Sequence, residues 1–291
     1  MIESTKRSPW LPLLEFNFAM ILMGTSGPLG RYIDLPPALT ICIRCLIAAF
    51  LLGFFCRLTG VTFLFANRRD FWRTGLVGVI LVLHWTTYFM ALQLANVAIG
   101  MLSLFTYPMI TALLEPVFLK TKLQPIHLLF GAMGILGVSF LVPSISIENE
   151  YLQGALMGML SAFLYALRNL ILKPIVGAYS PLQSMFYQLL VGGLVLSPLL
   201  LWADFEAVMN QWEAILLLSV ITTAVGHTMF VKVLNNFSVT AMSVMTTIQP
   251  IYGIIMGMIF LAEIPALRSV IGGLIILTTV VLESIRSYRR K

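Results

Sequence analysis

Charged and polar side chains are rare in this sequence, and those that interrupt its apolar runs set the chemistry open to it. Arg44 lies in ALTICIRCLIAAF and His84 in VILVLHWTTYFM, both flanked by aliphatic and aromatic residues. A guanidinium in such surroundings needs a carboxylate, freed backbone carbonyls or an anionic substrate group to offset its desolvation. His84 and Tyr88 are one helical turn apart and share a face, beside Trp85 and Thr86. That face would suit a small zwitterion or heterocycle, and would equally serve as core packing around a satisfied histidine.

Two prolines fall at matching places in SLFTYPMITALLEPVF and VMTTIQPIYGIIMGMIF, at Pro108 and Pro250. Each lacks an amide hydrogen, frees a carbonyl one turn earlier and is expected to kink its helix. In a bilayer such carbonyls are tolerated only against protein or a water-lined cavity. Thr106, Tyr107 and Gln249 adjoin the kinks and are expected on the wall of a central substrate cavity. The segment MGTSGPLG at 23–30 is dense in small residues, which suits close helix contact or a locally opened backbone.

Glu15 and Glu115 lie near one end of their runs, ~5 Å inside the boundary at ~1.5 Å per residue. Two carboxylates at one depth can share a proton, which would suit proton coupling. Snorkelling, or pairing of Glu115 with Lys120, Lys122 or another base at that end, is the competing reading. By the same count Arg44 and His84 lie ~12 Å and ~14 Å below the opposite end, near mid-depth. Arg168, Asn169, His227 and Lys232 fall nearer the inner end, where snorkelling accounts for Arg168 and Lys232.

The elements that hold these residues follow from composition. Of 291 residues, 59% are hydrophobic and 10% charged, with a mean hydropathy of +0.95, far from a soluble domain. Apolar runs of roughly 20 residues, each able to cross about 30 Å of hydrocarbon as a helix, recur along the chain. They do not alternate as barrel strands do. The expected spans are 11–31, 36–57, 70–93, 96–118, 125–143, 153–175, 180–202, 212–235, 238–261 and 264–286. The fold class is therefore an all-α membrane protein of ten transmembrane helices. The first run follows Lys6 and Arg7 and is too long for the core of a cleaved signal, so it reads as a span.

Basic residues gather at Arg57, Arg68, Arg69, Arg73, Lys120, Lys122 and Lys173, and in the tail at Arg286, Arg289, Arg290 and Lys291. Acidic residues gather in the alternate loops, at Asp34, Glu148, Glu150, Asp204, Glu206 and Glu263. This asymmetry puts both termini in the cytoplasm and makes the net charge of +6 a matter of topology rather than nucleic-acid binding. Cys42, Cys45 and Cys56 share one expected helix and read as packing residues, with no metal set and no bridge. The glycines at 131, 134, 137, 192, 193, 272 and 273 read as packing surfaces. No phosphate loop, dinucleotide fingerprint or nucleophile elbow is present, so neither an enzyme nor a cofactor is expected.

Sliding the chain by 142 residues aligns Arg31 with Lys173, Tyr88 with Phe230, Leu92 with Leu234, Pro108 with Pro250, Phe118 with Phe260 and Gly131 with Gly273. A tandem duplication is the economical reading, with repeats at 11–143 and 153–286. Five spans per repeat turn the second copy upside down, a signature of secondary transporters that open alternately to each side. Gln188 then takes roughly the place of Arg44 in the second copy.

Ten helices in two inverted halves, the paired prolines, and FLAEIP at 260–265 before Gly272 and Gly273 resemble the EamA-like family of the drug/metabolite transporter superfamily. In that family the fourth helix of each half ends in a glutamate. Glu263 matches, whereas the first half has Lys120 and Thr121 at that place and Glu115 nearly two turns earlier. The resemblance implies export of a small metabolite, an amino acid or related compound. More distant relatives exchange nucleotide sugars or organic phosphates.

The function expected is thus a secondary transporter in a bacterial inner membrane, a monomer or homodimer whose partners are a small-molecule substrate and the bilayer. Proton coupling through Glu15 and Glu115 is one possibility. A pH-independent exchanger of anionic metabolites, with Arg44 as anion contact, and a non-transporting sensor or assembly subunit are the alternatives.

Overall fold

A computed structural model describes residues 11–119, 123–175, 177–230 and 245–289. Lys6, Arg7, Lys120, Thr121, Lys122, Lys232, Leu234, Arg290 and Lys291 lie outside the described residues, as does the junction of the expected spans 212–235 and 238–261. Within those limits the secondary structure is helical, with no strand.

The first expected span is two helices, α1 (Leu11–Gly24) and α2 (Ser26–Tyr32), parted at Thr25. Pro28 explains the break, because it cannot donate to the carbonyl of Gly24. Then come α3 (Pro37–Leu58) and α4 (Arg68–Leu94). Asn67 caps α4 by accepting from the amide of Asp70 at 2.8 Å. The fourth span is α5 (Val97–Leu104) and α6 (Tyr107–Leu119), with α7 (Pro125–Leu141) completing the first half.

The second half starts with α8 (Glu150–Leu172) and α9 (Pro181–Leu196), each prolonged by 3-10 turns, and the short surface helix α10 (Phe205–Asn210). Next, α11 (Trp212–Leu217) runs straight into a π-helical segment, Leu218–His227. The chain closes with α12 (Ile248–Leu261) and α13 (Leu267–Arg289). Seven described helical stretches are long and apolar enough to cross a membrane, and Pro125–Leu141 and Ile248–Leu261 are shorter apolar helices. The protein is a multi-pass membrane protein. The ten expected spans are not all matched by single long helices, since the first is divided.

The halves interleave rather than forming separate lobes. The pairings α4 with α8, α7 with α13, α3 with α9, and α1 with both α12 and the π segment all join one half to the other. Close backbone approach makes two of them possible. A Cβ on Gly272 would lie 2.5 Å from the carbonyl oxygen of Gly137, and one on Gly24 would lie 3.3 Å from the amide nitrogen of Gly253. One apolar cluster joins α3, α4, α9 and α11, and a second joins α5, α7, α8 and α13. The three cysteines are buried and free, and no group of metal-binding side chains occurs among the described residues.

Candidate functional site

Each expected kink is an interruption of two residues placed just before its proline. The α5–α6 break covers Phe105 and Thr106, so Pro108 falls in the first turn of the resumed helix. The break before α12 covers Thr246 and Thr247, and Pro250 falls in the first turn again. Proline tolerates such a place because the first amides of a helix have no intrahelical acceptor. Side chains and short turns satisfy the opened backbone: Thr106 Oγ1 donates to the carbonyl of Ser103 at 2.7 Å, and the Gln249 amide donates to that of Thr246 at 3.0 Å.

Arg44 is the largest fully buried side chain among the described residues, only 1% exposed on α3. Its Nε donates to Thr223 Oγ1 at 2.7 Å, and its guanidinium carbon lies 3.9 Å from the centre of the Trp85 ring on α4. Nη1 has no hydrogen-bond partner among the described residues. Thr223 belongs to the π segment, and its hydroxyl also bonds the carbonyl of Leu218 five residues back, at 3.0 Å. The preceding Thr222 meets Thr25, at the break of the first span, with the hydroxyl oxygens 2.7 Å apart. A π segment is a rare geometry that recurs at functional sites, and this one links the α1–α2 break to Arg44.

On the next face of α4, His84 is buried with Nδ1 at 2.7 Å from Ser161 Oγ and 3.0 Å from the Ser161 carbonyl. A carbonyl only accepts, so the ring proton sits on Nδ1. Tyr165 of α8 stacks beside His84 at 4.8 Å, and Tyr107 meets Tyr165 edge-on at 4.7 Å. The Tyr107 hydroxyl is hydrogen-bonded to the Thr246 side chain, which joins the two interrupted helices. Arg168, one turn past Tyr165, donates from Nε and Nη2 to Gln188 Oε1 at 3.1 and 2.7 Å, and from Nη1 to Asn169 Oδ1 at 3.0 Å. His227, the last residue of the π segment, lies 6.0 Å from the Trp85 ring centre.

The structure thus gathers Arg44, His84, Tyr107 and Gln188 with Trp85, Ser161, Tyr165, Arg168, Thr223 and His227 in one polar and aromatic cluster made by both halves. Among the described residues no ion pair joins Arg44 or Arg168 to a carboxylate. Tyr88 is buried in the adjoining apolar cluster, within electrostatic range of Arg44. Thr106 is buried at its helix break, and Gln249 is half-buried with its carbonyl against Gly24. Glu15 is partly exposed on α1. Glu115 bonds Lys173 at 2.7 Å, beside a cleft of about 380 Å³ lined by Thr111, Glu115, Asn169 and Lys173.

Arg168 does not extend toward an interface as a snorkelling side chain would; Gln188 and Asn169 hold it in the cluster. Its signal was the spacing of Ser161, Tyr165 and Arg168, which puts all three on one face of α8. Thr223 carried no such signal, because a regular helical period does not anticipate a π segment.

Two stretches of the chain, 13–142 and 152–285, match the profile of the EamA-like transporter family. The chain belongs to the EamA-like transporter family. Relatives of this EamA-like protein include an uncharacterized transporter of Bacillus subtilis, 24% identical over 280 residues, 94% of this chain and 89% of the relative. A pseudopaline exporter of Pseudomonas aeruginosa is 24% identical over 201 residues, 68% of this chain and 70% of its own. One crystallised chain superposes with a TM-score of 0.66 at 16% identity, covering 96% of this chain and 98% of its own, and so shares the fold. In this EamA-like transporter the cluster occupies the region where helices of both matched repeats cross.

Both ends of the EamA-like bundle are tied across the halves. At one end Arg31 Nε bonds Glu263 Oε1 at 2.7 Å, while Glu263 Oε2 accepts from the amide of Val97 at the start of α5, at 2.8 Å. Arg31 also donates to the carbonyl of Gln93, whose side-chain amide donates to the carbonyls of Ile33 and Leu35 at 2.8 and 3.0 Å. At the other end stands the Glu115–Lys173 pair, on α6 and just beyond α8. Sequence reasoning did not single out a further buried group, in which Arg286 of α13 holds Glu283 at 3.0 Å and also bonds Gln124 and His127.

Proposed function

We propose that this protein is a secondary transporter that exports a small metabolite, an amino acid or related compound, across a bacterial inner membrane by alternating access. The reading takes ten spans in two inverted repeats with both termini cytoplasmic, as the loop charges imply. One observation carries it: Arg44 is buried at a crossing of the two halves with Nη1 unpartnered and no carboxylate paired to it among the described residues. A cation is costly in that place unless something that comes and goes completes it. Membership of a transporter family and likeness to an exporter support the same reading over an enzyme.

The test is counterflow in liposomes holding the purified protein, with labelled amino acids and nucleobases, with and without an imposed pH gradient, beside Glu15→Gln and Arg44→Ala. Exchange by the wild type and its loss in Arg44→Ala support the reading. Gradient-driven accumulation lost in Glu15→Gln assigns proton coupling to that carboxylate. Absence of exchange of these compounds by a folded protein overturns export of an amino acid or related compound.

A pH-independent exchange of anionic metabolites is the second reading. It is favoured by the pairing of Glu115 with Lys173 and by the two guanidiniums that pair with no carboxylate among the described residues. Exchange that ignores both pH and Glu15→Gln selects it.

A further inference from the structure

We infer that the transported molecule is an organic dianion, an inference that rests on the reading of the central cluster as the substrate site. The cluster holds two fixed positive charges, Arg44 from the first half and Arg168 from the second. Among the described residues each is oriented by neutral groups, Thr223 for Arg44, and Gln188 and Asn169 for Arg168. Neutral acceptors aim a guanidinium without cancelling its charge, so two positive charges lie within electrostatic range of His84 and His227, and no carboxylate pairs with either among the described residues. His84 and His227 add further nitrogen groups, and the described residues of the cluster include no carboxylate.

The same inventory disfavours other classes of substrate. The ammonium of a zwitterion would find no anionic partner here. The Trp85 ring, the best available surface for a cation, is already covered by the Arg44 guanidinium at 3.9 Å. A monoanion would neutralise one guanidinium and leave the other. A ligand bearing two carboxylates, or a phosphate monoester, neutralises both and can bridge the halves.

Four probes distinguish these classes by thermal stabilisation of the purified protein and by counterflow: succinate, phenyl phosphate, phenylacetate and phenylalanine. The expected result is stabilisation and exchange with succinate or phenyl phosphate, at least tenfold weaker with phenylacetate and absent with phenylalanine. Whichever of the two dianions prevails names the charged group. Arg168→Gln is expected to erase the preference for the dianion over the monoanion, and Arg44→Lys, which keeps the charge, to weaken both alike. Exchange of phenylalanine with no response to either dianion overturns the inference and leaves transport standing. Stabilisation by a dianion without exchange of any probe leaves the site standing and overturns transport.

A second, independent observation concerns the ends of the bundle. Arg31 and Lys173 are 142 residues apart, the same interval that separates Pro108 from Pro250. Both close an ion pair of 2.7 Å with a glutamate on or just beyond the fourth span of the other half, Glu263 for Arg31 and Glu115 for Lys173. The structure assigns these two pairs as the gates of alternating access. They stand at opposite ends, with their bases in equivalent places of the two repeats and Glu115 nearly two helical turns before the place equivalent to Glu263, and opening either end requires parting its pair.

Cross-linking tests this directly. Cysteines replace Arg31 and Glu263 in one variant and Glu115 and Lys173 in another, and a short bis-thiol reagent joins each pair. Each joined variant is expected to lose exchange while still being stabilised by the exchanged compound, and cleavage of the linker to restore exchange. A contact that persists throughout the cycle would be indifferent to the linker. Undiminished exchange with either pair fully joined therefore overturns the assignment for that end.

Discussion

Arg44 Nε is held at 2.7 Å by the hydroxyl of Thr223, a side chain of the other half that stands in a π-helical turn. The bond fixes the plane of the guanidinium against Trp85, while Nη1 has no hydrogen-bond partner among the described residues. In the proposed function Thr223 is therefore a positioning residue. A hydrogen bond to a charged group contributes roughly 1.5–3 kcal/mol, so Thr223→Val is expected to raise the KM of exchange tenfold or more. Maximal rate should move little, and Thr223→Ser, which keeps the hydroxyl, should restore KM. Exchange kinetics of the three proteins at equal reconstitution decide the matter. An unchanged KM in Thr223→Val would show that the guanidinium is aimed by its contact with Trp85 alone.

Ser161 joins α8 to α4 through one hydroxyl, which donates to the His84 carbonyl at 2.8 Å and meets Nδ1 at 2.7 Å. Ser161→Ala removes both contacts but keeps the Ser161 carbonyl that Nδ1 also reaches. The expected loss is about 1 kcal/mol, read as a lower melting temperature in detergent. His84→Phe in the same background is expected to cost a further increment of about 1 kcal/mol, because it also removes the bond from Nδ1 to the backbone carbonyl of residue 161.

Much of the fold was legible because hydrophobic length and composition speak directly of membrane spans. The equivalence of Pro108 and Pro250 was legible too, and each stands just after a break in its helix. The break of the first span at Thr25 was legible only as one of two readings of MGTSGPLG, a locally opened backbone beside close helix contact, since by hydropathy the segment read as continuous. Arg44 stood out because its own run is so apolar. Arg168 was misread, because the Gln188 that holds it lies on a different helix and no local pattern reports that contact. The group of His127, Glu283 and Arg286 was missed for the same reason: it forms only when α7 and α13 pack.

Glycine positions offer a graded test of how the halves pack. A Cβ at Gly272 would lie 2.5 Å from the carbonyl oxygen of Gly137, which is backbone and cannot swing aside. At Gly131 the nearest atom is a terminal carbon of Leu113 at 3.2 Å, which can. Gly272→Ala is expected to cost about 1–3 kcal/mol and Gly131→Ala well under that. Thermal melting of both proteins in one detergent checks the order. Equal melting temperatures would mean that α7 and α13 separate without cost.

Glu283 is 7% exposed on α13, and Arg286, one turn on, holds it at 3.0 Å while also bonding Gln124 and His127 of the first half. Removing one member of a buried pair is far more costly than removing both, because the survivor keeps its desolvation without its counter-charge. Arg286→Met is therefore expected to lower stability by roughly 3 kcal/mol, and Arg286→Met with Glu283→Leu by clearly less. Arg286→Lys should rescue only in part, since an ammonium cannot reproduce the forked contacts to Glu283, Gln124 and His127. Melting temperatures of the wild type, Arg286→Met, Glu283→Leu and the double variant form a double-mutant cycle. A double variant as unstable as the sum of its parts would show that the two residues act separately, and that Arg286 serves the α7–α13 interface through Gln124 and His127 alone.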